Sequence, residues 1–243
     1  MTRGAARPGA RSVPAPVAIR RFVARVPVAR CRDFSRRLRA WFARNRRDLP
    51  WRETRDPYRV LVAELMLQQT QVSRVVGFYG PFLDRFPTLE SLAASPRRDV
   101  RRAWEGLGYY ARARSLHALA RTVVAEGSPA TLPADLDALR ALPGIGPYTA
   151  GAVASFAFER RASLVDTNVE RVLRRVFAPR LVPKASRTHR LLWALADALL
   201  PRTGRAAWTH NQALMELGAL VCTARVKHCA RCPLRAICAS AEG

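Results

Sequence analysis

From Phe34 onward, apolar residues recur at helical spacing and almost never alternate with period two. Residues 59–76 (RVLVAELMLQQTQVSRVV), 136–146 (LDALRALPGIG) and 189–200 (HRLLWALADALL) carry the pattern most clearly. Pro50, Pro57, Pro81, Pro87, Gly106 with Gly108, Gly127, Pro133, the run Pro143 to Gly146, Pro179, Pro183 and Pro201 punctuate it. These spacings predict roughly ten short helices with no strand and no repeat of fixed period, hence an all-α fold.

At 243 residues, 49% of them hydrophobic, the chain can bury a core and form one or two domains. Its charge is lopsided: 42 basic against 18 acidic residues, a formal +24. A chain this basic suits a polyanion, nucleic acid ahead of a membrane surface. Residues 1–32 hold eight arginines, four prolines and no acid, a composition expected of a disordered basic tail. A transit peptide and an early start codon are the alternatives. Without that +8 the body still carries +16. The charge-free stretch 141–158 is broken by Pro143, Pro147 and glycines, so nothing approaches the ~20 apolar residues of a spanning helix.

Four of the five cysteines crowd the C-terminus: Cys222, Cys229, Cys232 and Cys238, spaced C-x6-C-x2-C-x5-C. Four thiolates so close can converge on one metal centre, and the spacing leaves zinc and an iron–sulfur cluster both open. Disulfides are the weaker alternative, and Cys31 is expected to be an ordinary thiol. Arg225, Lys227, Arg231 and Arg235 make the loop basic. In LPGIGPYTAG (142–151), two glycines flank an aliphatic residue before a helical run. The amides of Gly144 and Gly146, beside a helix N-terminus and followed by Thr149, form a phosphate seat that reads no sequence: a helix-hairpin-helix.

Two carboxylates stand in apolar surroundings. Glu64 lies on a helix apolar on its other faces, where desolvation raises a carboxyl toward the range a general acid needs; a buried ion pair with an arginine is the alternative. Asp166 follows Leu164-Val165 and reads as an N-cap of helix 168–177, a role compatible with catalysis. In GLGYYARAR (106–114), Tyr109 and Tyr110 beside arginines suit base stacking, although taken alone the motif is better explained as a helix start with two packed tyrosines.

In combination, LPWR (49–52), ELMLQQTQV (64–72), FPTLESLA (86–93), WEGLGYYARAR (104–114), LPGIGPYTAGAV (142–153), VDTNVERVL (165–173), NQALMELGALVC (211–222) and the cysteine loop resemble the helix-hairpin-helix base-excision DNA glycosylases, specifically the MutY-type adenine glycosylases, from about Phe34 to Ala239. The resemblance implies a two-lobed fold, with a helical-barrel lobe at 58–164 and a second lobe made of 33–57 plus 165–243. It implies one 4Fe-4S cluster on the four cysteines and room for a monovalent cation at the hairpin. Glu64 matches the acid that protonates adenine at N7, and Asp166 the carboxylate that stabilises the cationic sugar and activates water. Tyr148 matches a pocket tyrosine and Asn168 a residue that positions the acid. Arg52 and Gln212 match contacts to the flipped adenine, while Gln69 and Tyr109 match wedges near the opposite base. Gln68, Gln69 and Thr70, with Tyr109 and Tyr110, suit an adenine opposite a purine. Relatives resembling endonuclease III place a strand-cleaving lysine where Tyr148 stands, so tyrosine implies a monofunctional enzyme.

Thr167 departs from the usual glycine, and the sequence ends five residues after Cys238, before the family's 8-oxoguanine-sensing domain. The expected activity is removal of adenine opposite 8-oxoguanine or guanine. A thymine or uracil glycosylase acting opposite guanine is the first alternative, and a non-catalytic DNA-binding module the second. The expected partner is duplex DNA carrying a mismatch or lesion, bound by a monomer away from membranes. A bacterial host implies a cytoplasmic, nucleoid-associated location, with organellar targeting by the tail as the alternative.

Overall fold

The computed structural model describes residues 16–127 and 129–241. Within them the chain forms twelve α-helices and three short 3-10 turns, and its β pairing is a single isolated bridge between Cys222 and Lys227. The first helices are α1 (Pro16–Ala24), α2 (Val28–Asn45), α3 (Pro57–Leu67), α4 (Val72–Arg85), α5 (Leu89–Ala94), α6 (Arg97–Ala103) and α7 (Ala111–Glu126). There follow α8 (Leu136–Ala141), α9 (Pro147–Phe156), α10 (Thr167–Phe177), α11 (Ser186–Leu199) and α12 (Gly204–Leu220). None is long and apolar enough to cross a membrane.

Most starts are written locally. Asp56 caps α3 by accepting the Arg59 amide, with Pro57 at the first helical position. Thr88 and Ser91 form a reciprocal capping box on α5, and Asp135 and Thr203 cap α8 and α12. α3 is buried on nearly every face from Tyr58 to Met66, as its uniform apolar character requires. α3 packs on α4, α7 and α9, and α5 and α6 lie against α7. α12 packs on α2, α9 and α10, and α11 contacts α1, α2 and α10. Buried residues from both groups belong to one continuous core.

Two expectations need correction, and one helical stretch proves to be divided. Residues 16–24 form α1, packed on α11, and 28–32 belong to α2, so this part of the basic tail is helical; residues 1–15 lie outside the described residues. Segment 59–76 is two helices, because the α3 ladder ends at Gln68 and Gln69 turns left-handed (φ 56°). Pro81 breaks nothing: α4 runs through it, held across the lost hydrogen bond by the burial of Val75, Tyr79, Phe82 and Leu83.

Candidate active site

α3 carries Glu64 into the core, where it is 4% exposed. Among the described residues no cation forms an ion pair with it: Arg52, whose charge acts on it from a distance, is paired with Glu216 instead. Its partner is Tyr148 at the start of α9, whose hydroxyl donates to Glu64 Oε2 at 2.8 Å. Burial drives the Glu64 carboxyl up to about 7; the nearby charge of Asp166 adds to the rise, and the Tyr148 hydrogen bond opposes it. Burial and both carboxylates push the Tyr148 phenol well above its ordinary value.

Asp166 does cap α10, its Oδ1 accepting from the Val169 amide at 2.7 Å, and the helix begins one residue before the expected 168. Oδ2 accepts from Asn168 Nδ2 at 2.8 Å. Burial raises its carboxyl, but these donors favour the anion. Glu64, Tyr148 and Asp166, 102 residues apart at the extremes, thus share one electrostatic site. One carboxyl can be neutral near pH 7 while the other, hydrogen-bonded, stays ionised.

Asn168 is itself anchored. Its Oδ1 accepts from Arg171 Nη2 at 2.7 Å, and the same guanidinium holds the carbonyls of Gly218 (2.7 Å) and Cys222 (2.8 Å) at the end of α12. Gly218 permits this approach, since a Cβ there would lie 2.7 Å from the Asn168 Cβ. Arg52 and Gln212 are buried together, with Arg52 Nε donating to Gln212 Oε1 at 3.0 Å. Arg52 also forms a two-pronged pair with Glu216 (2.9 and 3.2 Å), which Arg47 joins at 2.6 Å. Burial opposes ionisation of Glu216, but the hydrogen bonds from Arg47 and Arg52 outweigh it and hold its carboxyl at about 2. The guanidinium of Arg52 is therefore already committed within the protein.

Two loops face each other beside this site. Gln69 (φ 56°) and Tyr109 (φ 46°) both adopt the left-handed region that non-glycine residues avoid, and Tyr109 is 57% exposed. Arg112 ties the loops together. It is buried and donates to the carbonyls of Leu65, Met66 and Gln68 (2.8, 2.7 and 2.5 Å), to Thr70 Oγ1 (3.1 Å), and to the carbonyls of Leu107 and Gly108 (3.3 and 3.1 Å). It thereby closes the C-terminus of α3 and pins it to the tyrosine loop. Tyr110 is half-buried beneath Arg101, away from the exposed position of Tyr109.

At the hairpin between α8 and α9, Gly144 adopts φ 78°, and the amides of Gly144 and Gly146 find no acceptor within the described chain. The phosphate seat expected at these glycines is thus open. Thr149, by contrast, is 2% exposed, and its hydroxyl meets Gln68 Nε2 at 3.3 Å, so it braces the glutamine loop instead of facing outward. It sits on the inner side of α9, whose residues 149–156 are all buried.

No disulfide joins the cysteines. Cys222, Cys229, Cys232 and Cys238 line one half-enclosed cavity with Val172, Leu217 and Leu234. Burial, then the neighbouring thiols, lifts Cys232 to about 11, and Arg175 Nη1 lies 3.3 Å from Cys222 Sγ. Among the described residues no three ligand side chains converge on a point a single ion could occupy. The donor set is soft, partly buried and gathered around one cavity.

Arg47, Arg112, Arg171 and Glu216 escaped the sequence reading. Only a spacing of three from Tyr109 and four from Gly108 distinguishes Arg112 among 40 arginines, and nothing local signals its burial.

A family model described as "HhH-GPD superfamily base excision DNA repair protein" matches residues 62–197. The chain is 42% identical over 214 residues to a rat (Rattus norvegicus) adenine DNA glycosylase, covering 84% of this chain and 41% of that protein. It is 46% identical over 201 residues to the adenine DNA glycosylase of Mycobacterium tuberculosis, covering 81% and 64%. The chain thus spans about two fifths of the rat relative and about two thirds of the mycobacterial one. The solved structure of a thermostable thymine-DNA glycosylase superposes with a TM-score of 0.78 at 31% identity, covering 86% of this chain and 95% of that one. The helical architecture, the hairpin and these matches agree: the chain belongs to the HhH-GPD superfamily of base excision DNA repair proteins.

Proposed function

We propose that the chain is a monofunctional DNA glycosylase that hydrolyses the N-glycosidic bond of adenine paired with 8-oxoguanine or guanine. The observation that carries this is the buried, ion-pair-free Glu64 carboxyl at about 7, bonded to Tyr148 within the field of Asp166. Cleaving an N-glycosidic bond needs a proton on the departing base and a negative charge facing the cationic sugar. Glu64 donates to adenine N7 while Asp166, oriented by Asn168, stabilises the sugar cation and then accepts a proton from the attacking water. Tyr148 holds the acid in place and offers no amine for a Schiff base, so the product is an abasic site with an intact strand.

The base must first leave the stack. Gln69 and Tyr109 fill the gap as Arg112 holds their loops, Gln68 and Thr70 face the estranged base, and the amides of Gly144 and Gly146 seat a backbone phosphate. Arg52 and Gln212, braced by Glu216, form the wall against the extruded adenine. Four soft sulfur donors lining one cavity suit a 4Fe-4S cluster, which the resemblance to the MutY-type glycosylases favours over the zinc ion that the same donors could also take. Cys222, Cys229, Cys232 and Cys238 would hold it, and their shared ligation would brace the basic loop that carries Arg225, Lys227, Arg231 and Arg235. Purified chain is expected to show broad visible absorption lost on chelation together with melting of that loop; a colourless protein with one zinc ion is the contrary result.

Thymine opposite guanine is the second reading, favoured by the superposition on a thymine-DNA glycosylase of nearly the same extent. Base-release assays on duplexes with adenine opposite 8-oxoguanine and thymine opposite guanine separate the two. Faster adenine release is expected, whereas faster thymine release overturns the substrate assignment.

A further inference from the structure

A cavity between α6 and α7 lies outside the machinery described so far. Arg97 and Arg101, one turn apart on α6, converge on it with Arg114 of α7, and Tyr110 and His117 close it. None of these guanidiniums has a hydrogen bond or ion pair among the described residues, and Arg101 is held by its stack on the Tyr110 ring, 5.3 Å from the centroid. Asp99, the acid within α6, is turned to Arg85 (3.8 Å) and leaves the arginines unneutralised. Like charges one turn apart destabilise a short helix, and among the described residues none forms an ion pair that offsets them.

The floor gives the second clue. His117 is 7% exposed, yet its Nε2 has no hydrogen-bond partner. Buried side-chain nitrogens without a partner are uncommon in folded proteins. A phosphate fits the unpaired forks, since its oxygens accept from planar guanidinium N–H groups, with His117 lining the floor beside them. α6 and α7 are joined by the loop that carries Tyr109, and its last residue, Tyr110, lines the cavity, which therefore lies at the base of the wedge loop.

We infer that this cavity is a second phosphate site, taking a backbone phosphate of duplex DNA on the wedge side, a sequence-blind contact that complements the hairpin. The inference rests on the DNA-glycosylase reading above. The test is the Arg97→Gln/Arg101→Gln/Arg114→Gln variant of the full chain, titrated with a long undamaged duplex over a range of salt. One lost phosphate contact makes the slope of log affinity against log salt shallower by about 1, which amounts to roughly tenfold weaker binding at 0.1 M relative to 1 M. Ethylation interference on the wild type should show one sensitive wedge-side phosphate that the variant no longer senses, and His117→Phe should weaken the same signal.

An unchanged slope and ethylation pattern in a variant that melts like the wild type overturns the site. A shift of the His117 resonances with inorganic phosphate alone, with duplex binding unaltered, makes it a small-anion pocket and equally overturns the DNA assignment. Wild type that binds duplex but releases no base from any substrate sinks the glycosylase reading, while the slope change still decides this site.

Discussion

Glu64→Gln is expected to lower single-turnover base release by about 10³-fold or more while duplex affinity stays within about twofold, since removing a general acid costs rate and not binding. The wild-type rate should follow a bell. The acid form of Glu64 prevails below about 7, so activity falls toward tenfold per pH unit above it. The ionised form of Asp166 sets the other limb, placed above an ordinary aspartate because burial raises that carboxyl. The two limbs belong to a coupled pair, and the variant should lose the upper one. Stability carries its own pH dependence. Between the unfolded value of Glu64, 4.5, and its folded value near 7, the native state binds more protons than the unfolded chain, so wild-type stability declines as pH rises through that window. Glu64→Gln removes this decline and should melt no lower than wild type at pH 8. A variant that keeps most of its rate, or that fails to bind duplex, contradicts the assignment.

Arg112→Ala is expected to be the most damaging substitution outside the reacting groups. It leaves the carbonyls of Leu65, Met66, Gln68, Leu107 and Gly108 without their donor in a buried setting. Each such orphan costs on the order of 1–3 kcal/mol before relaxation and entry of water, so a net loss of about 3 kcal/mol is expected. For a chain of this size that lowers Tm by roughly 6–12 °C. Lysine should not rescue it, because three donors on a flexible stem cannot replace a planar fork spanning two loops. Base extrusion should suffer beyond the stability loss, as Gln69 and Tyr109 lose the brace that holds them at positive φ. The readouts are a melting curve and the fluorescence of 2-aminopurine at the target position. A Tm within about 2 °C of wild type and unaltered extrusion would refute the role.

The contrast between Glu64 and Arg112 shows how far local pattern reaches. Glu64 was legible because a lone acid in an apolar helix has few explanations, and Asp166 because an N-cap before a helical run has a recognisable spelling. Arg112 was not, since burial of one arginine among 40 depends on which carbonyls a neighbouring helix leaves open. Thr149 marks the same limit from the other side: its place in the hairpin motif suggested a phosphate contact, and the inward face of α9 turned it to Gln68. Pro81 misled for a related reason, as packing on α3 carried α4 through a proline.

Helical class, caps, cysteine spacing and the hairpin are short-range properties, written within a few residues of each other and decided by propensity, period and backbone chemistry. The amino-acid order alone determined those. The meeting of Glu64 with Tyr148 and Asp166, the clamp of Arg47 and Arg52 on Glu216, and the orphaned imidazole of His117 among arginines were decided by tertiary structure alone. Each depends on desolvation and on distances between groups remote along the chain, quantities that exist only once the core has closed around them.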